Sequence, residues 1–157
     1  MKILFVCTGN TCRSVMAEFL LRKLAADRGL AGWEARSNGV AAEGYFKIPS
    51  GVRTALADRG IAQVAHTPEL VGRDAMTWAD LVVPMTRAHR DHLTDQYPEF
   101  GSKIKLFLEL AGKGAGDVAD PIGQSDAVYR RCRDELEQGL GRIIDAYAAE
   151  KDRNAGS

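Results

Sequence analysis

Lys2 to Val6 is a short apolar run with β-branched and aromatic members, too short for a helix, and it gives way at once to Cys7-Thr8-Gly9-Asn10-Thr11-Cys12-Arg13-Ser14. The pattern predicts a buried strand followed by a polar loop. Val15, Met16, Phe19, Leu20 and Leu24 then recur at helical spacing, with Ser14 as the expected N-cap and Gly29 just past the last turn. The alternation continues with a strand over Trp33 to Ser37, a loop carrying Gly44, Tyr45, Phe46 and Pro49, a helix over Ser50 to Arg59, and an extended piece at Val64 to His66. A helix over Glu69 to Trp78, a strand over Asp80 to Met85, a helix over Arg87 to Tyr97 and another strand or extended segment at Ile104 to Phe107 follow. Val128, Cys132, Leu136, Leu140, Ile144 and Tyr147 step by threes and fours along one long terminal helix. Strands alternating with helices imply an α/β fold whose parallel sheet is covered on both faces. Pro84 fits the strand over Asp80 to Met85 badly, because a central strand there loses a backbone donor.

Length and composition narrow the class. At 157 residues, 45% hydrophobic and 27% charged, the chain suits one folded domain, expected over residues 1–150, with a disordered tail at 151–157. Lys plus Arg and Asp plus Glu both count 21, so the net charge is zero and any anion must be recognised locally. Bulk charge gives no reason to expect nucleic acid as a partner. No apolar run reaches the roughly 18 to 20 residues of a membrane span, and the N-terminus lacks the pattern of a signal peptide, so no membrane association and a cytoplasmic location are expected. Three cysteines, an odd number, argue for thiol chemistry over a disulfide framework.

The chemistry concentrates in the first loop. Ligands of open parallel sheets sit at the carboxyl ends of the strands, where Cys7 to Ser14 falls. Backbone N–H groups running into a helix N-terminus suit an anion, Gly9 lets the backbone turn closely, and Arg13 offers a planar fork to two phosphate oxygens. That field favours the thiolate of Cys7 over its thiol, making it a poised nucleophile. Cys7, five residues, Arg13 and then Ser14 give a loop that can wrap a phosphoryl group in line with the sulfur. The Gly-x-x-x-x-Gly-Lys-Ser/Thr pattern of nucleotide-binding loops is missing.

Val6-Cys7-Thr8-Gly9-Asn10-Thr11-Cys12-Arg13-Ser14, followed by Met16-Ala17-Glu18, resembles the N-terminal signature of the low-molecular-weight protein-tyrosine phosphatases. The likeness continues through Ser37-Asn38-Gly39, Ala79-Asp80-Leu81-Val82 with Met85, and Asp120-Pro121 with Gly123 ahead of a terminal helix. It implies a three-layer α/β/α sandwich with a four-stranded parallel sheet and a phosphate-binding loop between the first strand and first helix. It further implies that Cys7 attacks phosphorus, Arg13 clamps the phosphate, and Asp120 protonates the leaving group and later activates water. Asn10, Ser37 and His66 are implied to support the loop, and Ser14 to bond the Cys7 thiolate. No metal or other cofactor is implied. Phosphorylated proteins are the implied substrates, and a monomer or weak dimer the implied state.

Two departures bear on substrate. Thr11 stands where the tyrosine phosphatases commonly carry a bulky aliphatic residue, and a threonine there resembles the family's bacterial protein-arginine phosphatases. A hydroxyl at the rim can orient a guanidinium phosphate or its attacking water; an isoleucine offers only apolar packing. Ile122 follows Asp120-Pro121 where many members place an aromatic wall, leaving Tyr45 and Phe46 on the facing loop to supply one. Thr8, Gly9, Asn10, Thr11, Cys12, Ser14, Tyr45, Phe46 and Ile122 are thus the expected substrate-binding set. The expected function is a phosphocysteine-forming phosphatase favouring phosphoarginine, with a tyrosine phosphatase as the alternative. An arsenate reductase is disfavoured because Met85 to Gly101 holds no cysteine, and loss of catalysis is disfavoured because nucleophile, arginine and acid are all present.

Elsewhere the plain readings prevail. His89 and His92, flanked by Arg87, Arg90, Asp91 and Asp95, read as a solvated helix face and not a metal site. Cys132 reads as core and Tyr129 as a partly exposed helix residue. Cys12 either fills space or pairs reversibly with Cys7 on oxidation. If it pairs, peroxide-inactivated protein regains activity with thiol and Cys12→Ser does not; equal recovery in the variant excludes the disulfide.

Overall fold

A computed structural model describes residues 1–156 of the chain. Three strands, β1 (Lys2–Cys7), β2 (Glu34–Gly39) and β3 (Leu81–Pro84), form a parallel sheet in the order β2-β1-β3. The helices are α1 (Arg13–Asp27), α2 (Ser50–Ala57), α3 (Arg73–Trp78), α4 (Arg87–Gln96), α5 (Phe107–Leu110) and α6 (Asp126–Ala155), with a 3₁₀ turn over Pro98–Lys103. Successive side chains of β1 point to opposite faces and both faces are covered. Ile3, Phe5 and Cys7 enter a core shared with α1, α2, α5 and α6, while Leu4 and Val6 enter a smaller one with Val71, Met76 and Leu93. The result is a three-layer arrangement in which β1 is central and delivers Cys7 to the sheet's carboxyl edge.

The sheet has three strands, not the expected four. The segment expected as a fourth makes one parallel bridge, Ile104 to Val82, with the Lys105 N–H donating to the Val82 carbonyl at 2.9 Å. Met85 N–H bonds to Val6 O, so odd-numbered residues here face β1 and Val82 and Pro84 face the outer edge. The next ladder bond would need an N–H at Pro84, which has none. The chain instead turns into α5 at Phe107.

Three further boundaries differ from expectation. α3 begins at Arg73 and not Glu69, because residues 69–71 are extended against β2, with Gly39 N–H bonded to Glu69 O and Val71 N–H to Gly39 O, each at 2.9 Å. Cys12, not Ser14, is the N-cap of α1; Ser14 lies inside the first turn, and its hydroxyl is committed to the preceding loop. α6 continues through Lys151 to Ala155 where a disordered tail at 151–157 was expected, and Ser157 lies outside the described residues. Among the described residues no helix is long and apolar enough to cross a membrane.

Tyr129, expected to be partly exposed, is buried on α6. Its ring occupies the space beside Gly51 of α2, where a Cβ would approach ring atoms to 2.3 Å. Gly51→Ala therefore overpacks the α2–α6 seam, and chemical denaturation is expected to show a loss of about 1 to 3 kcal/mol.

Candidate active site

The loop from Cys7 to Arg13 closes on itself around Asn10, whose φ of 57° lies in the left-handed region. All four hydrogen-bonding positions of the Asn10 amide are filled. Its Nδ2 donates to Ser14 Oγ at 2.9 Å and Ser37 Oγ at 3.0 Å, and its Oδ1 accepts from Glu69 N–H at 3.0 Å and His66 Nε2 at 3.0 Å. His66 Nε2 also faces the Asn10 carbonyl at 3.2 Å, so between two acceptors it must carry the ring proton. The Ser37 hydroxyl in turn donates to the buried Glu18 carboxyl oxygen Oε1 at 2.7 Å. Asn10, Ser37 and His66 are thus brought together as expected, and Glu18 joins them.

Gly39, at the end of β2, lets the loop lie this close. A Cβ there would stand 2.4 Å from Thr8 O and 2.9 Å from Asn10 N. The close approach, not a special dihedral, excludes a side chain.

Cys7 is buried with its Sγ 2.9 Å from Ser14 Oγ. Because Asn10 Nδ2 already donates to that hydroxyl, the Ser14 proton is free to turn toward the sulfur. Arg13 is buried, with Nη1 donating to Val118 O at 2.9 Å and Nη2 3.4 Å from Asp120 Oδ2. Its Nε is buried without a partner among the described residues, a donor left over. The Asp120 side chain is 41% exposed, and its Oδ1 accepts the Ile122 N–H at 3.1 Å, which holds the carboxyl group over the loop.

These groups line one cleft of about 340 Å³, walled by Cys7, Thr8, Gly9, Thr11, Cys12, Arg13, Phe46, Lys47, Asp120 and Ile122. Cys7, Arg13 and Asp120 therefore share one space. Tyr45 is not on its wall; it is exposed and meets Phe46 edge-on at 5.1 Å between ring centroids. Ile122 does line the cleft and is 56% exposed, so the aromatic wall comes from Phe46 alone. Burial pushes the Cys12 thiol up, against hydrogen bonds from Thr11 at 3.6 Å and Tyr129 at 3.9 Å that pull it down. Cys132 is core, pushed up to about 12 by burial. All three cysteines are free thiols. Among the described residues no three His, Cys, Asp or Glu side chains converge on a point that could hold a metal ion.

Two participants were missed. Lys47 at the rim carries no signal beyond its neighbour Phe46. His89, read as solvated, is only 5% exposed, with Nε2 2.8 Å from Thr8 Oγ1. Its signal was Leu93, one turn on and also buried, which marks that face of α4 as inward.

Burial, then the Arg13 charge, lowers His89 from 6.5 to about 4. Between those values the unfolded chain binds a proton that the folded one refuses, so stability rises with pH through this window. Native protein is expected to lose up to about 3 kcal/mol as pH falls from about 6.5 to about 4. Denaturation of His89→Phe across the same range should show the slope smaller by about one proton.

The comparisons with known proteins agree with this geometry. The family model described as "Low molecular weight phosphotyrosine protein phosphatase" matches residues 2–154. The chain is 36% identical to a protein-arginine-phosphatase of Geobacillus stearothermophilus, covering 96% of this chain and 98% of that one. It is 39% identical to a protein-arginine-phosphatase of Bacillus subtilis (strain 168), covering 98% and 99%. A solved YwlE arginine phosphatase mutant with a phosphorylated active site serine superposes with a TM-score of 0.89 at 36% identity, covering 98% of this chain and 99% of that one. With the family model matched over nearly the whole chain and these relatives covered end to end, the chain belongs to the low molecular weight phosphotyrosine protein phosphatase family.

Proposed function

We propose that this protein is a protein-arginine phosphatase, removing phosphate from arginine side chains of proteins through a phosphocysteine. The observation that carries the choice is Thr11, whose side chain lines the cleft beside the nucleophile and places a hydroxyl where an aliphatic residue would exclude polar contacts. Ile122, in place of an aromatic wall, removes one stacking partner for a phosphotyrosine ring. The similarity to relatives named protein-arginine-phosphatase supports the same choice.

In this reading Cys7 Sγ attacks phosphorus, the S–P bond forms and the P–N bond breaks, its electron pair leaving on the guanidine nitrogen. Asp120, entering as the carboxylic acid, gives that nitrogen its proton, without which it is a poor leaving group. Arg13, already held by Val118 O and Asp120, has its Nε unpartnered, and this donor together with the loop amides holds the phosphoryl oxygens in the transition state. Ser14 stabilises the Cys7 thiolate before attack and again when it departs. In the second step the Asp120 carboxylate takes a proton from water, the water oxygen bonds phosphorus, and the S–P bond breaks to release inorganic phosphate and the thiolate.

The test compares kcat/KM on matched phosphoarginine and phosphotyrosine peptides, with Cys7→Ser as the blank. A preference for phosphoarginine of at least about tenfold is expected, lost or reversed in Thr11→Ile. A phosphotyrosine preference indifferent to Thr11 makes the protein a tyrosine phosphatase instead.

A further inference from the structure

The reaction steps use no histidine, yet His89 is buried against the wall of the cleft. Its Nε2 lies 2.8 Å from the hydroxyl of Thr8, the residue after the nucleophile and itself part of the cleft wall, whereas its Nδ1 is buried with no partner among the described residues. The ring belongs to the first turn of α4, whose cap hydroxyl on Thr86 accepts the His89 backbone N–H at 3.1 Å. Arg13, Asp117, Asp120 and His92 act on the ring electrostatically, and Asp117 is itself held by Arg87. Burial, the Arg13 charge and the positive end of α4 all oppose protonation, so the imidazole is neutral at physiological pH.

A neutral imidazole carries its proton on one nitrogen only. On Nδ1 it would be a stranded buried donor in the field of the Arg13 guanidinium; on Nε2 it meets Thr8 Oγ1, and the bare Nδ1 lone pair is the form that a nearby cation favours. With a Thr8 lone pair occupied by that donor, the hydroxyl proton turns away from the ring and into the cleft. The acceptors a substrate brings there are phosphoryl oxygens. We propose that His89 is a positioning residue that fixes the Thr8 hydroxyl as a hydrogen-bond donor to a phosphoryl oxygen, adding a side-chain donor to the Arg13 guanidinium and the loop amides.

This rests on the phosphatase chemistry of the cleft but not on the choice of phosphoarginine, because the contact is to the phosphoryl group and not to what leaves it. Calorimetric titration with inorganic phosphate therefore reads it directly. Thr8→Val is expected to weaken phosphate binding about tenfold, and Thr8→Ser, which keeps the hydroxyl, to restore it. His89→Phe is expected to weaken it to a similar extent, and the Thr8→Val/His89→Phe double variant no further than either alone, since the two act through one hydrogen bond. Unchanged phosphate affinity in Thr8→Val, or losses that multiply in the double variant, overturns the proposal. Should His89→Phe not fold, nitrogen-15 NMR of the native protein decides its half: the Nε2–H tautomer at neutral pH is required, and Nδ1–H overturns it. A protein that proves to prefer phosphotyrosine leaves every one of these readings unchanged.

Discussion

One asparagine in an unfavourable backbone conformation shapes the site. A non-glycine residue at φ 57° costs on the order of 1 to 2 kcal/mol, and it persists only where its surroundings hold it. Around Asn10 those surroundings are Ser14 from α1, Ser37 from β2, and His66 with the Glu69 amide from the chain leading to α3. Each bond fixes the loop to a different part of the fold, so the strained turn is over-determined. Because the amide is saturated, Ser14 and Ser37 have only one direction left for their protons, toward Cys7 and Glu18 respectively. Backbone strain at one residue is thereby converted into the orientation of a proton at Cys7.

How much of this was legible in the sequence divides by range. The Cys7 to Ser14 loop was readable because its chemistry is local: a short strand, a turn, a cation and a helix start fall within a dozen residues, and the distant Asp120 was placed by family register. β1 was readable because alternate positions of an apolar pentapeptide can only be buried on both faces. What escaped depended on contacts between distant segments. Pro84 was noticed as awkward, but which edge of β3 it faces follows from pairing with β1, and that orientation cost the sheet its fourth strand. His89 reads as solvated from its charged neighbours, whereas its ring is buried and meets Thr8, eighty-one positions earlier. Tyr129 was misread because the space for its ring is an absence, the missing side chain of Gly51.

Electrostatics in the cleft follow the same division between local and global. With equal numbers of acidic and basic residues, the molecule has no net charge with which to gather anions. The attraction is confined to a buried guanidinium and a loop of amides, and the same guanidinium helps to keep a neighbouring imidazole uncharged. Arg13 is half committed already, to the Val118 carbonyl and the Asp120 carboxylate, so it is held in place before an anion arrives and less ordering is left for binding. The Asp120 to Arg13 contact also joins two distant segments of the chain, the start of α1 and the loop before α6.

Gly39 contributes no atom to the cleft and has no functional group, yet its bare α-carbon is the mould against which the loop is cast. A single methyl there would press on the Thr8 carbonyl and the Asn10 nitrogen together, and neither can retreat without opening the ring of bonds around Asn10. In a mutational scan scored on turnover, this position would be indistinguishable from an active-site residue. Its intolerance would map the shape of the cysteine loop from behind, and inferring substrate contact from such a map would mistake the form for the tool.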